Sequence, residues 1–180
     1  MLQITIPANE QWDEQRQMFI QTKEQTLELE HSLVSLSKWE SKWNRPFLSK
    51  NGITQEETLD YIKCMTITKN VDPNIYNSMT TEHIEMINKY IEAPMTATTF
   101  SDNKQNKSNR EIITSELIYY WMIALQIPFE CQKWHLNRLL TLIRVCNIKN
   151  TPPKKMSKRA TASHYAQLNA ARRQQMNTKG

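Results

Sequence analysis

The sequence predicts an α+β protein: a small N-terminal antiparallel β-meander followed by a mostly helical domain. Three observations carry this. Within residues 1–30, "LQITIP" and "TLELEH" alternate apolar and polar side chains with a period of two, as half-buried strands do. Between residues 31 and 150, apolar positions recur at helical spacing. Capping boxes and prolines punctuate that helical stretch.

The strand segments come first. "LQITIP" sets Leu2, Ile4 and Ile6 against Gln3 and Thr5. "QMFIQT" is apolar and of strand length, and "TLELEH" sets Leu27 and Leu29 against Glu28 and Glu30. "TKEQ", from Thr22, supplies a polar turn between the last two, and "TATTF" at 96–100 is expected to add an edge strand.

Helices follow. "HSLVSLSKWESKW" aligns Leu33, Leu36, Trp39 and Trp43, with Ser35, Lys38 and Lys42 off that stripe, and Pro46 stops it. Thr54 and Glu57 form a capping box after Gly52. Asp72 caps a helix that has Pro73 in its first helical position. "TEHIEMINKYIEAP" carries Ile84, Met86, Ile87, Tyr90 and Ile91 and ends at Pro94. After a polar loop at 101–109, Ser108 and Glu111 are expected to cap a central helix, 111–126. Pro128 then turns the chain into 130–146, packed antiparallel on that helix with Trp121 and Leu139 in the core. A last amphipathic stretch runs from about Ser157 to Gln175.

A chain of 180 residues with 39% hydrophobic and 23% charged side chains is large enough to pack a core as one domain with a tail. We expect a single globular domain over 1–150, β-rich to residue 30 and helical from 31. A basic arm, partly helical or flexible, follows over 151–180, with the linker at Asn150 to Lys155. The arm from Lys154 carries seven bases and no acid, so the +5 net charge leaves the preceding body slightly negative.

Composition excludes several function classes. Gly52 and Gly180 are the only glycines. Dinucleotide fingerprints and phosphate-binding loops need glycine where backbone meets ligand, so neither can be written here. The G-x-S-x-G elbow is missing as well. Three cysteines, Cys64, Cys131 and Cys146, make no disulfide framework and read as reduced thiols. "MLQITIPANE" has no basic region followed by a long apolar run, so it is not expected to be a signal peptide. The most apolar stretch, Leu117 to Phe129, is shorter than the roughly 20 residues of a membrane-spanning helix.

Cys131 and His135 stand four residues apart. On one helix they would fall with Leu139, Leu142 and Cys146 inside an arc of about 80°. A structural zinc needs four ligands, and Cys146 would lie about 22 Å from Cys131 along a helix. A core stripe with a hydrogen-bonded histidine is therefore expected, with no metal and no cofactor. Pairs such as Glu56–Glu57 sit at a helix start, where the dipole favours them, and form no acid/base dyad.

Two features remain for binding. "LIYYWMIALQIPF" is apolar on all sides, so it serves as the central core helix or as an assembly surface. Tyr119, Tyr120 and Met122 are its candidate partner-binding residues. The arm offers Lys154, Lys155, Lys158, Arg159, Arg172 and Arg173 to an acidic protein partner. With Tyr165 its only aromatic, stacking on nucleic acid is weakly supported and nucleic-acid binding is not expected.

Three blocks, "LEHSLVSLSKWESKWNRPFL", "YIKCMTI" and "YYWMIALQIPFECQKWHLNRLLTLIRVCNIKN", followed by "PPKKMSKR", resemble a group of tailed-bacteriophage proteins encoded among the tail-assembly genes. The resemblance spans about residues 2 to 175. It implies a non-enzymatic tail assembly chaperone in the host cytoplasm. Such a protein binds the tape measure protein and shields its long apolar helices while the tail tube assembles. It also implies a β-start followed by helices, partners among other tail proteins or further copies of itself, and in many such proteins an extension by frameshifting. A structural protein of the tail or head–tail junction, retained in the virion, is the second expectation. A small DNA-binding protein using the arm is the third.

Overall fold

A computed structural model describes residues 1–13, 17–49, 52–100, 112–151 and 158–176. The chain divides into two compact units, Met1–Asn147 and Ile148–Gly180. The fold is α+β, with an N-terminal antiparallel β region followed by helices.

The β region has four segments: β1 (Leu2–Ile6), β2 (Asn9–Asp13), β3 (Met18–Thr22) and β4 (Gln25–Leu29). β1 pairs with β4 and β2 with β3. Leu2 faces Leu29, Ile6 faces Gln25, Asn9 faces Thr22 and Asp13 faces Met18. Every facing pair sums to 31, so the four segments are one long hairpin with a break in its middle. In that register Pro7 stands opposite Glu24. Proline has no N–H to give the ladder, which accounts for the break.

This corrects the expected turn at "TKEQ". Lys23 and Glu24 lie at the break, and the chain reverses between Asp13 and Met18, where Gln17 takes a left-handed φ of 50°. β2 went unforeseen because "NEQWD" carries one apolar residue and no alternation. The expected edge strand at 96–100 is absent, and those residues are non-helical, non-strand backbone.

Alternation in the proximal half is clean. Ile4, Ile6, Leu27 and Leu29 are buried. On the opposite face Gln3 Nε2 donates to Glu28 Oε1 at 3.0 Å, and the Thr5 and Thr26 hydroxyls lie 3.0 Å apart. The outer edge of β4 is not left open: Ile67 N–H donates to Glu28 O at 2.9 Å and Glu30 N–H to Met65 O at 2.8 Å.

The helices that begin in the first unit are α1 (Leu33–Trp43), α2 (Gln55–Met65), α3 (Thr81–Glu92), α4 (Ser115–Ala124) and α5 (Leu136–Asn150). Helix α1 sits at the centre, with Leu33, Leu36 and Trp39 fully buried. Ser32 caps it, and Ser35, expected off the apolar stripe, is buried because its hydroxyl closes the box back onto Ser32. Asn44, with φ 52°, ends the helix before Pro46. The Thr54–Glu57 box forms as expected at the start of α2. Asp72 caps the segment that Pro73 opens, as expected, and that segment is a short 3-10 helix, Pro73–Ser78. On α3 Ile87 and Tyr90 are buried, but Met86, expected on that stripe, is exposed.

Two boundaries differ from expectation. Helix α4 starts at Ser115, capped by Thr114, so residues 112–114 are not helical; Ser108 and Glu111 lie outside the described residues. The expected helix 130–146 is interrupted: Phe129–Lys133 is a 3-10 turn, Trp134 is extended and α5 begins at Leu136. The cause is tertiary. His135 bridges to Ser32, and Leu136 N–H donates to His31 O at 2.9 Å, which holds this backbone extended beside the start of α1. Helix α4 therefore packs chiefly on α1 and not as half of a hairpin with 130–146.

The second unit contains α6 (Lys158–Met176). All its described side chains are exposed except Thr161, which is half-buried. Among the described residues no helix is long and apolar enough to cross a membrane.

Candidate partner-binding surfaces

Helix α4 settles how an all-apolar segment is used. Ile118 and Met122 are fully buried, while Tyr120 is 63% and Ile123 62% exposed. Met122 is thus a core residue and is unavailable to a partner, a correction to the sequence expectation. With apolar residues on every side, periodicity could not say which face points inward. Tyr119 is half-buried, and its hydroxyl donates to Gln132 Oε1 at 2.9 Å, so it ties α4 to the following 3-10 turn. Tyr120 is the one expected residue of this helix that stands free. Ile123, one turn on, joins it on the outer face.

The basic residues fall into two groups. Arg159, Arg172 and Arg173 are exposed on α6, and Lys158 lies in the same helix. Lys154 and Lys155 lie outside the described residues. A third surface was not foreseen. Trp12 and Phe19 face each other across β2 and β3 with ring centroids 4.9 Å apart, both largely exposed. Its sequence signal was the single tryptophan in "NEQWD".

The buried polar groups are committed to structure. Glu40 accepts from Phe47 N–H at 2.9 Å through one oxygen and from Ser115 N–H at 2.7 Å through the other. It thereby fastens the start of α4 to α1. Glu57 accepts from Thr54 N–H at 2.7 Å and Arg45 Nη1 at 2.6 Å. The Thr54 amide chiefly, and then Arg45, hold the Glu57 carboxyl below its ordinary range. Asp60 accepts from Lys42 and, at 2.9 Å, from Trp43 Nε1. Burial pushes the Asp60 carboxyl up, but these two donors together pull it below its ordinary range. Each carboxylate thus uses both oxygens on structural donors.

Replacing Glu40 by Gln should cost about 2 kcal/mol, since an NH₂ group would then confront a buried N–H donor. Urea denaturation measures this. A midpoint equal to that of the unaltered chain would mean that α4 is not anchored there.

Cys131 and His135 are both present where the sequence paired them, but not on one helix face. Cys131 is buried in the 3-10 turn, and His135 turns toward His31, with ring centroids 5.0 Å apart. His135 Nε2 meets Tyr90 O at 2.9 Å, and His31 Nδ1 meets the Tyr61 hydroxyl at 2.6 Å. His135 Nδ1 is buried without a partner among the described residues. Burial chiefly, with His135 alongside, lowers the His31 pKa to about 3, and burial lowers that of His135. Both rings are therefore neutral at physiological pH. Burial first, and Asp60 next, push the Cys64 thiol up, away from the reactive thiolate. Among the described residues no three His, Cys, Asp or Glu side chains gather as a metal site would require.

Compared with known proteins, the chain matches no family model, no curated protein and no solved structure.

Proposed function

We propose that this chain is a non-enzymatic tail assembly chaperone of a tailed bacteriophage. In this proposal it acts in the host cytoplasm and holds apolar helices of the tape measure protein until the tail tube encloses them. The observation that carries the proposal is the outer face of α4, where Tyr120 and Ile123 stand in solvent on a helix anchored to the core by Ile118 and Met122. A rigid helix with an exposed apolar face is suited to binding another amphipathic helix. Exposed Ile112 and Phe129 lie in sequence on either side of it and extend the apolar character. The resemblance of the sequence blocks supplies the identity of the partner. The arm, with arginines exposed along α6, supports a second contact to an acidic protein.

Co-expression with the long helical tail protein tests this. The partner should stay soluble with the unaltered chain and aggregate with Tyr120→Asp plus Ile123→Asp. That variant should itself remain folded, because neither side chain is in the core. Equal solubility of the partner in both cases would rule out the α4 face. Finding the chain in purified virions by mass spectrometry would favour the structural tail protein instead.

A further inference from the structure

The distal half of the hairpin meets the rest of the first unit at Thr22, which is buried with its hydroxyl 3.5 Å from that of Ser78, while Trp12 and Phe19 stand in solvent. β2 and β3 pair only with each other, and among the described residues no backbone hydrogen bond joins either outer edge to another element. Trp12 is 52% and Phe19 62% exposed, and on their side of the ribbon Gln21 Nε2 donates to Glu10 Oε1 at 3.0 Å. An isolated two-stranded ribbon is marginal in water, and a third strand or a helix laid across it stabilises it. A tryptophan–phenylalanine pair held in solvent is the kind of surface that partners cover.

Charge indicates which element. Residues 1–30 hold six acids against two bases, and residues 148–180 hold eight bases and no acid; the chain between is nearly balanced. The acids therefore concentrate in the hairpin and the bases in the arm. Glu10 and Glu24 are exposed, as are Arg159, Arg172 and Arg173 on α6. Along α6, Tyr165, Leu168 and Arg172 follow at spacings of three and four, which places two apolar side chains and a guanidinium on one side of the helix. Tyr165 and Leu168 are 61% and 40% exposed. This pattern complements a ribbon that offers two aromatic rings beside a carboxylate: apolar side chains meet the rings, and guanidinium groups can lie over tryptophan or pair with glutamate.

We infer that α6 of one copy docks across the β2–β3 ribbon of a second copy, with Tyr165 and Leu168 on Trp12 and Phe19 and its arginines against Glu10 and Glu24. The chain then assembles with itself through its two oppositely charged ends.

Sedimentation of the full-length chain over a concentration series tests this by charge swapping. One variant carries Arg159→Glu, Arg172→Glu and Arg173→Glu. The other carries Glu10→Lys and Glu24→Lys. The unaltered chain should self-associate, less so as salt rises. Each reversal should raise its dissociation constant about 100-fold, because like charges then face each other. An equimolar mixture of the two variants should associate again, and so should a chain carrying both reversals. Trp12→Ala should weaken association without changing its salt dependence. Circular dichroism confirms that each variant remains folded. A full-length chain that stays monomeric would exclude a second copy as the occupant. Reversals that leave association unchanged, or a mixture that stays monomeric, would overturn the docking. If the arm reversal abolishes binding to duplex DNA but leaves self-association intact, the arm serves nucleic acid and the inference fails.

Discussion

Replacing Leu139 by Asp should abolish folding, whereas replacing Trp121 by Asp should leave a folded protein. Leu139 is fully buried on α5, in a stripe with Leu136 and Ile143. Asp there loses the burial of a large aliphatic side chain and gains a carboxylate with no donor nearby. The combined loss is about 5 kcal/mol or more, comparable with the whole stability of an ordinary domain. Trp121 is half-buried at the margin of the core, so its replacement can turn a carboxylate toward water. Thermal melts followed by circular dichroism distinguish the two variants. Two unfolded variants would place Trp121 in the core, as expected from the sequence. Two folded variants would remove Leu139 from it.

The contrast marks how far the sequence could be read. Two helix starts were legible from a local cap, Thr54 with Glu57 just before an apolar stripe and Asp72 before Pro73, whereas the Thr114 cap of α4 was passed over for Ser108. These signals are local, so they survive without knowledge of the fold. The break before α5 was not legible, because its cause is His31 and Ser32, about a hundred residues earlier, pairing with His135 and Leu136. For the same reason the partner role of Met122 was misassigned. In a segment apolar on every side, only packing against α1 decides that Met122 turns inward and Tyr120 outward. The hairpin was half legible. β1 and β4 bury one face and so alternate, while in β2 the described side chains of Asn9, Glu10 and Trp12 are exposed and the sequence carries no pattern. Its exposed Trp12 is thus a candidate contact that periodicity could not find.

Acidification should destabilise the protein before its carboxylates begin to titrate. His31 is buried with a pKa near 3, against an ordinary value of 6.5. Above pH 6.5 the ring is neutral both folded and unfolded and contributes no pH dependence. Below 6.5 the unfolded chain takes up a proton that the folded chain refuses, so stability falls by up to about 1.4 kcal/mol per pH unit. The fall continues toward pH 3 unless the protein unfolds first. His135 shifts in the same direction and adds to the slope. The groups around the pair do not rescue it. Tyr61 and Tyr90 are neutral, the Met1 ammonium opposes a charge on His135, and Glu30, which acts on Tyr90, makes no hydrogen bond to either ring. Glu57 and Asp60 have carboxyls held below their ordinary range, so their contribution is lost only as pH falls below their unfolded values near 4. The histidine window, from about pH 6.5 to 4.5, is therefore separable. Melting temperature measured across that window should fall steeply for the unaltered chain. For His31→Gln, which keeps a partner for the Tyr61 hydroxyl, it should fall less, from a lower starting value at pH 7. His135→Asn should flatten the slope in the same sense. An identical slope in all three would show that these rings do not govern acid stability.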